Sequence, residues 1–400
     1  MSKRETRHRR HPAALAALAA LWLAACGGGG GGNNDGAAAS AVGTAAPAAN
    51  SPVVGASPPA GDAASDSRWT QRDQPRAWSW LASSATGEVL VATDSPGRVR
   101  TSVDGGATWT TGNSPTAAWT SADMSADAGR IVAAASGGGL FMSTDRGATW
   151  SAVAAPAGED FGNRPWTSVT VSDDGRRIAA AVLDGPVYVS QDGGATWTLG
   201  LRPCSTPTSC RINGDLVTMT ASWGALGSSA DGRHMVAVPS GTSGMYYGPT
   251  YAVYVSADGG LTWNARQTPG GGSHEWHRVA VSGDGQTIAI AGRTQSPLLV
   301  SRDGGGTWGG YATSRVGNYS AIAMSSDGRV IGTTINGGDV LLSQDAGATF
   351  APLALPGTDT NWRAMALSAD GQSIAVAAGS PGGASGALYT STGHRTSASR

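Results

Sequence analysis

Six aspartates of this 400-residue chain stand in one local frame. A carboxylate in a repeated frame has two chemical uses. It can exchange protons in a reaction, or it can accept the backbone N–H groups that a tight turn leaves unpaired. Asp104, Asp145, Asp192, Asp258, Asp303 and Asp345 each follow a serine by two residues. Each precedes a glycine by two, a threonine by four, and a Trp or Phe by five. Glycine takes the positive φ that other residues resist, and Thr followed by an aromatic suits the start of a strand. The frame therefore assigns these aspartates to strand-to-strand turns. Other candidate chemistry is thin. His274-Glu275-Trp276-His277 offers two imidazoles and a carboxylate but departs from the H-E-x-x-H spacing. Along a strand those neighbours point to opposite faces, so no metal site is expected. There is no G-x-S-x-G elbow, and the glycine-rich stretches fall at turns or in low complexity, so no cofactor is implied.

The turns need strands to join, and a second frame supplies them. An aromatic is followed eight residues later by the Asp or Thr of a polar turn, as in Trp78/Thr86, Trp119/Asp127, Trp166/Asp174, Trp223/Asp231, Trp276/Asp284, Tyr319/Asp327 and Trp362/Asp370. A period of about 40–45 residues with four short strands per unit is the mark of a β-propeller. The expected fold is all-β: a single seven-bladed β-propeller. In the third unit the strands are expected at 166–171, 178–182, 187–190 and 197–199. The seventh unit lacks its Thr-Trp strand, and Arg68-Trp69-Thr70 stands unclaimed before the first. An N-terminal strand completing the last blade would close the ring and remove sheet edges. In a complete unit both aspartate-bearing turns fall at one end of the blade, and the remaining connections fall at the other. Eleven of the fourteen tryptophans occupy the two repeat slots, which assigns them to blade packing rather than to a sugar.

The Ser-x-Asp-x-Gly-x-Thr-Trp/Phe frame resembles the Asp-box, or bacterial neuraminidase repeat. Families that share it include sialidases, xyloglucan-cleaving glycoside hydrolases, sortilin-type receptors and the photosystem II stability/assembly factor group of seven-bladed propellers. In them the Asp-box lies at the periphery, away from substrate. The resemblance to sialidases stops short of chemistry. Cys210-Arg211-Ile212-Asn213 lacks the aromatic and the proline of their Phe/Tyr-Arg-Ile-Pro segment, and few glutamates are present for a Tyr–Glu nucleophile pair. The chain most resembles the assembly-factor group, which implies a binding scaffold. The alternative is an exo-acting glycoside hydrolase, which would need a carboxylate pair about 5–10 Å apart in the central pocket.

The N-terminus has the form of an export signal. Lys3, Arg4, Arg7, Arg9 and Arg10 precede an apolar run too short for a permanent membrane span. Leu23-Ala24-Ala25-Cys26 resembles a bacterial lipobox, which implies a signal peptide over 1–25 and lipidation of Cys26. Residues 26–66 are, after Cys26, mostly Gly, Ala, Ser, Pro and Asn, too poor in large apolar residues to fold, and read as a tether with a reach of roughly 35 Å. Residues 67–400 are left for the propeller. Without 1–25, Lys3, four arginines and Glu5 are gone, leaving 22 basic against 27 acidic residues, a net −5. That balance gives no reason to expect nucleic acid. Cys204 and Cys210, in a Pro/Ser/Thr loop, are expected to form a disulfide in an oxidising compartment. The whole is expected at a bacterial cell envelope, lipid-anchored and facing the periplasm or the cell surface.

Departures from the repeat carry the expected recognition surface. Insertions place Arg211 between blades three and four, Tyr246, Tyr247 and Tyr251 in the fourth blade, and His274 and Glu275 before the fifth. Phe161 and Arg164 lie between blades two and three. All belong to the variable end, where Tyr, Arg and His beside glycine suit a face that holds a protein or glycan.

Overall fold

The computed structural model describes residues 69–201, 211–212, 215–216, 222–240, 252–269, 276–293, 296–309, 317–379 and 385–393. Within them the chain is all-β, with twenty-eight strands. It begins with β1 (Trp69–Arg76). Blade one is β2 (Trp78–Ser83), β3 (Leu90–Asp94) and β4 (Val99–Ser102); blade two is β5 (Trp119–Met124), β6 (Ile131–Ala135), β7 (Gly139–Ser143) and β8 (Ser151–Ala152). Blade three is β9 (Trp166–Val171), β10 (Ile178–Val182), β11 (Val187–Ser190) and β12 (Thr198–Leu201). A small hairpin of β13 (Arg211–Ile212) and β14 (Asp215–Leu216) follows. Blade four is β15 (Trp223–Ser228), β16 (Met235–Pro239), β17 (Ala252–Ser256) and β18 (Asn264–Gln267). Blade five is β19 (Trp276–Val281), β20 (Ile288–Gly292) and β21 (Leu298–Ser301), and blade six is β22 (Tyr319–Met324), β23 (Ile331–Ile335), β24 (Val340–Ser343) and β25 (Ala351–Pro352). Blade seven adds β26 (Trp362–Leu367), β27 (Ile374–Gly379) and β28 (Ser385–Ser391).

The seven sheets are antiparallel meanders, and the ring closes as the sequence implies. β1 is the outer strand of blade seven, in the order β1-β28-β27-β26, with Trp69 opposite Ser391 and Thr70 opposite Thr390. It runs on to Arg76, well past the three residues expected. Among the described residues, the outer edge of blades one and five is held by single bridges, Thr101 to Thr110 and Val300 to Gly309. Blade three matches its expected strands, save that the fourth begins at Thr198 and not at Trp197.

The core is divided among the interfaces between blades, one apolar cluster to each. Between blades two and three, for example, Val132, Ala134 and Leu140 meet Trp166, Ile178, Ala180 and Tyr188. Second strands lie inside this packing on both faces. That is why β6 and β10 read as unbroken apolar runs without alternation. The aromatic that opens each inner strand is the wedge. Trp78, Trp119, Trp166, Trp223, Trp276 and Tyr319 are wholly buried. Where the indole N–H meets a loop carbonyl it donates to it, as from Trp166 to Phe161 at 2.9 Å and from Trp223 to Gly185 at 2.9 Å.

The Asp-box turns repeat one pattern of bonds around the aspartate and serine. In blade three the Asp192 carboxylate accepts Ser190 Oγ at 2.8 Å, the Thr196 N–H at 2.8 Å and Thr196 Oγ1 at 2.5 Å. Ser190 Oγ accepts the Gly194 N–H at 2.7 Å, and Trp197 Nε1 donates to the Gly194 carbonyl at 3.1 Å. Asp104, Asp145, Asp258, Asp303 and Asp345 make the same bonds. Gly194 has φ +87°, and a Cβ there would strike Met142 of the preceding blade, so both backbone and packing demand glycine. The position before it is only mildly constrained: Arg146 sits there at φ 56°. This difference explains why the frame fixes one glycine and not two.

Candidate functional site

The inner strands ring a central channel whose two mouths differ. At the Asp-box mouth the polar turns after the inner strands are joined head to tail by backbone hydrogen bonds. They run from Ala85 to Ala126, Asp173, Ala230, Gly283, Ser326 and Ala369, and back to Ala85, each at 2.7–3.0 Å. This closed circle of seven bonds leaves no inner-strand turn free to move alone. The cavity inside it is lined by Ser83, Asp123, Thr170, Asp173 and Ser228. Asp123 accepts the N–H groups of Val171 at 2.8 Å and Met124 at 2.9 Å. Burial outweighs those bonds and pushes its carboxyl up to about 6. Asp173 is also raised, by burial and by the neighbouring Asp174.

The opposite mouth is set by a β-bulge at the second residue of every inner strand. In blade one Trp78 opposes Asp94 and Trp80 opposes Thr93, which leaves Ser79 as the extra residue. Its hydroxyl turns back to the Thr93 carbonyl at 3.2 Å. Thr120, Thr167 and Ser320 do the same to Ala134, Ala181 and Thr334 at 3.2–3.3 Å. A bulge re-aims its side chain, so what occupies the slot decides what faces the mouth. Blade four has Gly224 there, and blades five and seven have His277 and Arg363. Next to His277, Arg278 donates from Nε to the Ser320 carbonyl at 2.7 Å and from Nη1 to the His277 carbonyl at 3.2 Å. Its guanidinium crosses the channel to lie 5.1 Å from the ring centre of Trp80 in blade one. Trp80 is held in turn by a 2.7 Å bond from its indole N–H to the Ala122 carbonyl. Arg293, exposed at the end of β20, brings Nη2 to 3.1 Å from His277 Nε2.

These cations strain one another electrostatically. Burial, then Arg278, Arg293 and Arg363, holds His277 well below its usual range, so the imidazole is neutral at pH 7. Burial and the two other arginines bring Arg278 down to about 9, and Arg363 is lowered by burial and Arg293. Scanning the chain for turn motifs does not find this cluster. Superposing the seven inner strands on their leading aromatics does, because two of seven bulge slots then carry a cation or imidazole in place of a small residue.

Of the recognition residues expected from the sequence, Phe161 is corrected by the structure. It is 3% exposed and packs edge-on against Trp166, Tyr188 and Trp197. The connection that carries it folds down over the interface between blades two and three, where a ring gains more from burial than from exposure. Arg164 pairs with Glu159, donates to the Asp160 carbonyl at 2.7 Å and lies over Tyr188, with its side chain 27% exposed. It props this connection while still reaching solvent. Arg211 lies in β13 with its side chain outside the description. Tyr246, Tyr247, Tyr251, His274, Glu275, Cys26, Cys204 and Cys210 lie outside the described residues.

Residues 188–199 match the BNR/Asp-box repeat family. No curated protein matches the sequence. Among solved structures, the chain is similar to YCF48 from Cyanidioschyzon merolae, at 16% identity and a TM-score of 0.58, over 81% of this chain and 98% of that one. It is also similar to a YCF48 bound to a D1 peptide, at 14% identity and a TM-score of 0.56, over 81% of this chain and 97% of that one. At these identities the likeness speaks for the fold. The chain is a seven-bladed β-propeller built on Asp-box repeats, with the architecture of the YCF48 structures.

Proposed function

We propose that this protein is a binding scaffold of the cell envelope, lipid-anchored at Cys26, whose propeller holds a protein partner on the end opposite the Asp-boxes. The observation that carries this reading is the difference between the two ends. One is a closed circle of self-satisfied turns, and the other breaks the repeat with cations at a channel mouth; the long connection from β16 to β17, which carries Tyr246, Tyr247 and Tyr251 in the sequence, leaves the sheet at that end. A rigid ring with one variable face is suited to recognition. A peptide-bound YCF48 of the same fold favours a protein over a glycan as the partner.

The test is capture of partners from detergent-solubilised native membranes by the wild-type chain. Three variants run beside it: Cys26→Ala, the triple Tyr246/Tyr247/Tyr251→Ser, and Asp192→Ala at the opposite end. Cys26→Ala is expected to leave the membrane fraction once its signal peptide is removed. The tyrosine variant is expected to lose its partner without a change in melting temperature, and Asp192→Ala is expected to keep it. A tyrosine variant that captures its partner normally would move the site away from these insertions.

A further inference from the structure

We infer that the Asp-box mouth of the channel is a binding site for a small organic cation, a primary ammonium on a short apolar body, and that Asp123 receives the ammonium. This site is separate from the partner face proposed above and does not depend on it.

The fold gives Asp123 no reason to be acidic. It is the fifth residue of its inner strand, and the other six blades place alanine, glycine or threonine in that slot. It lies deep in the channel, yet it keeps accessible surface and lines the cavity. The bonds it accepts come from the Val171 and Met124 N–H groups, which are neutral donors. Among the described residues the ion pairs all lie elsewhere, at Arg76–Asp73, Arg100–Asp94, Arg164–Glu159 and Arg233–Asp231. The charged group that acts on it is another carboxylate, Asp173, on the same cavity. A carboxylate taken out of water is ordinarily compensated by a cation. Even pushed up to about 6, the Asp123 carboxyl is mostly ionised at pH 7. A cation entering the cavity would supply the charge that the protein leaves out.

The walls say what kind of cation. The cavity holds about 200 Å³, and a second hollow of about 210 Å³ shares its lining. One residue from each blade lines both. Blades one to four give Ser83, Asp123, Thr170 and Ser228, and blades five to seven give Val281, Met324 and Leu367. The channel is therefore polar over one arc and apolar over the other. Thr170 Oγ1 lies 2.9 Å from Ser228 Oγ and joins blades three and four along the polar arc. A metal ion would gain nothing from the apolar arc, and no three His, Cys, Asp or Glu side chains gather to hold one among the described residues. An ammonium with a carbon body uses both arcs, its head on Asp123 and the hydroxyls and its body on Val281, Met324 and Leu367. A hollow of about 150 Å³ is enough for a benzene ring, so an arylalkyl amine fits this one. The circle of seven backbone bonds fixes the turns around this mouth, so the site is preformed.

The probe is benzylamine, charged at pH 7 and titrated calorimetrically into the wild-type chain at low salt. Its controls are benzyl alcohol and benzoate, of similar size with no charge and with the opposite one. The same titrations are run on Asp123→Asn, Ser228→Leu and Asp192→Asn, the last removing a carboxylate at the same end but in an Asp-box turn. The wild type is expected to take benzylamine about tenfold more tightly than either control, or better. Asp123→Asn is expected to bind the amine and the alcohol alike. Ser228→Leu is expected to fill the cavity and weaken both about tenfold, and Asp192→Asn to match the wild type. Ser228 is only half-buried, so the leucine variant keeps the test valid if Asp123→Asn unfolds. The inference is overturned if benzylamine does not bind or binds no better than its controls, or if its preference survives in a folded Asp123→Asn. Wild-type binding by Ser228→Leu, or equal loss in Asp192→Asn, overturns it as well. So does binding of N-acetyl-lysine methylamide without binding of benzylamine, which would make the guest a protein side chain. Each of those failures leaves partner capture at the opposite end untouched.

Discussion

The two mouths of the channel are made from the same seven units, yet only one of them repeats. Within each Asp-box turn the bonds close over a few residues: Asp192 reaches back to Ser190 and forward to Thr196. Such a turn is complete in itself and can be copied around the ring. At the cationic mouth the partners come from different blades, with Arg278 reaching Ser320 in blade six and Trp80 in blade one. No local rule writes those contacts, so they can differ from blade to blade without unfolding any of them. The Asp-box turns are uniform because their chemistry is local, and the cationic mouth is individual because its side chains meet across blades.

The comparison can be broken or sharpened by stability measurements, beginning with the shared ring. A chain that starts at Trp78 loses β1, bares the edge of β28 and removes the buried Trp69. Denaturant unfolding is expected to show a loss above the ~3–5 kcal/mol of one core tryptophan, or no cooperative transition at all. A chain that starts at residue 61 is expected to melt like the whole. Equal stability of the two truncations would mean that the ring does not depend on its closure. Trp166→Ala, at a wholly buried wedge, is expected to cost ~3–5 kcal/mol.

Asp192→Ala frees the Thr196 N–H and two hydroxyls at an exposed turn, with an expected cost of about 1 kcal/mol. The pH profile separates the turn from the channel. The Thr196 hydroxyl first, then its N–H, and the Ser190 hydroxyl hold Asp192 at about 2, against 3.8 in the unfolded chain. Its contribution is full above pH 3.8 and is lost as pH falls through 2. Asp123 runs the other way: with its folded value near 6, the stability it adds is greatest below pH 3.8 and is lost as pH rises through 6. In melts from pH 2 to 7, Asp192→Asn is expected to flatten the acid limb and Asp123→Asn the limb between 4 and 6. The same limb flattened by both would show that rim and channel titrate as one. The smallest effect belongs to the cationic mouth. Arg363→Gln relieves like charges and is expected to shift stability by no more than ~0.5 kcal/mol, on the stabilising side and less so in high salt. A loss above ~1 kcal/mol would make the mouth part of the scaffold after all.

What could be read in the sequence follows the same division. The six Asp-box turns, the seven leading aromatics and the strand borrowed from residue 69 onward were all legible. Each depends on residues close in sequence or on a count around a closed ring. Phe161 was not legible as a core residue, because a single aromatic in a glycine-bearing connection carries no period to say which way it points. Nor was the mouth. His277, Arg278 and Arg363 look like surface residues one at a time, and only the bulge and the closure of the ring turn them toward one another and toward Trp80. The sequence by itself determined the number of blades, their turns and their closure, since short-range hydrogen bonds and burial of a repeated wedge suffice for those. The tertiary structure alone decided which charges meet, because the distance between blades across the channel is a property of the closed ring and of no segment within it.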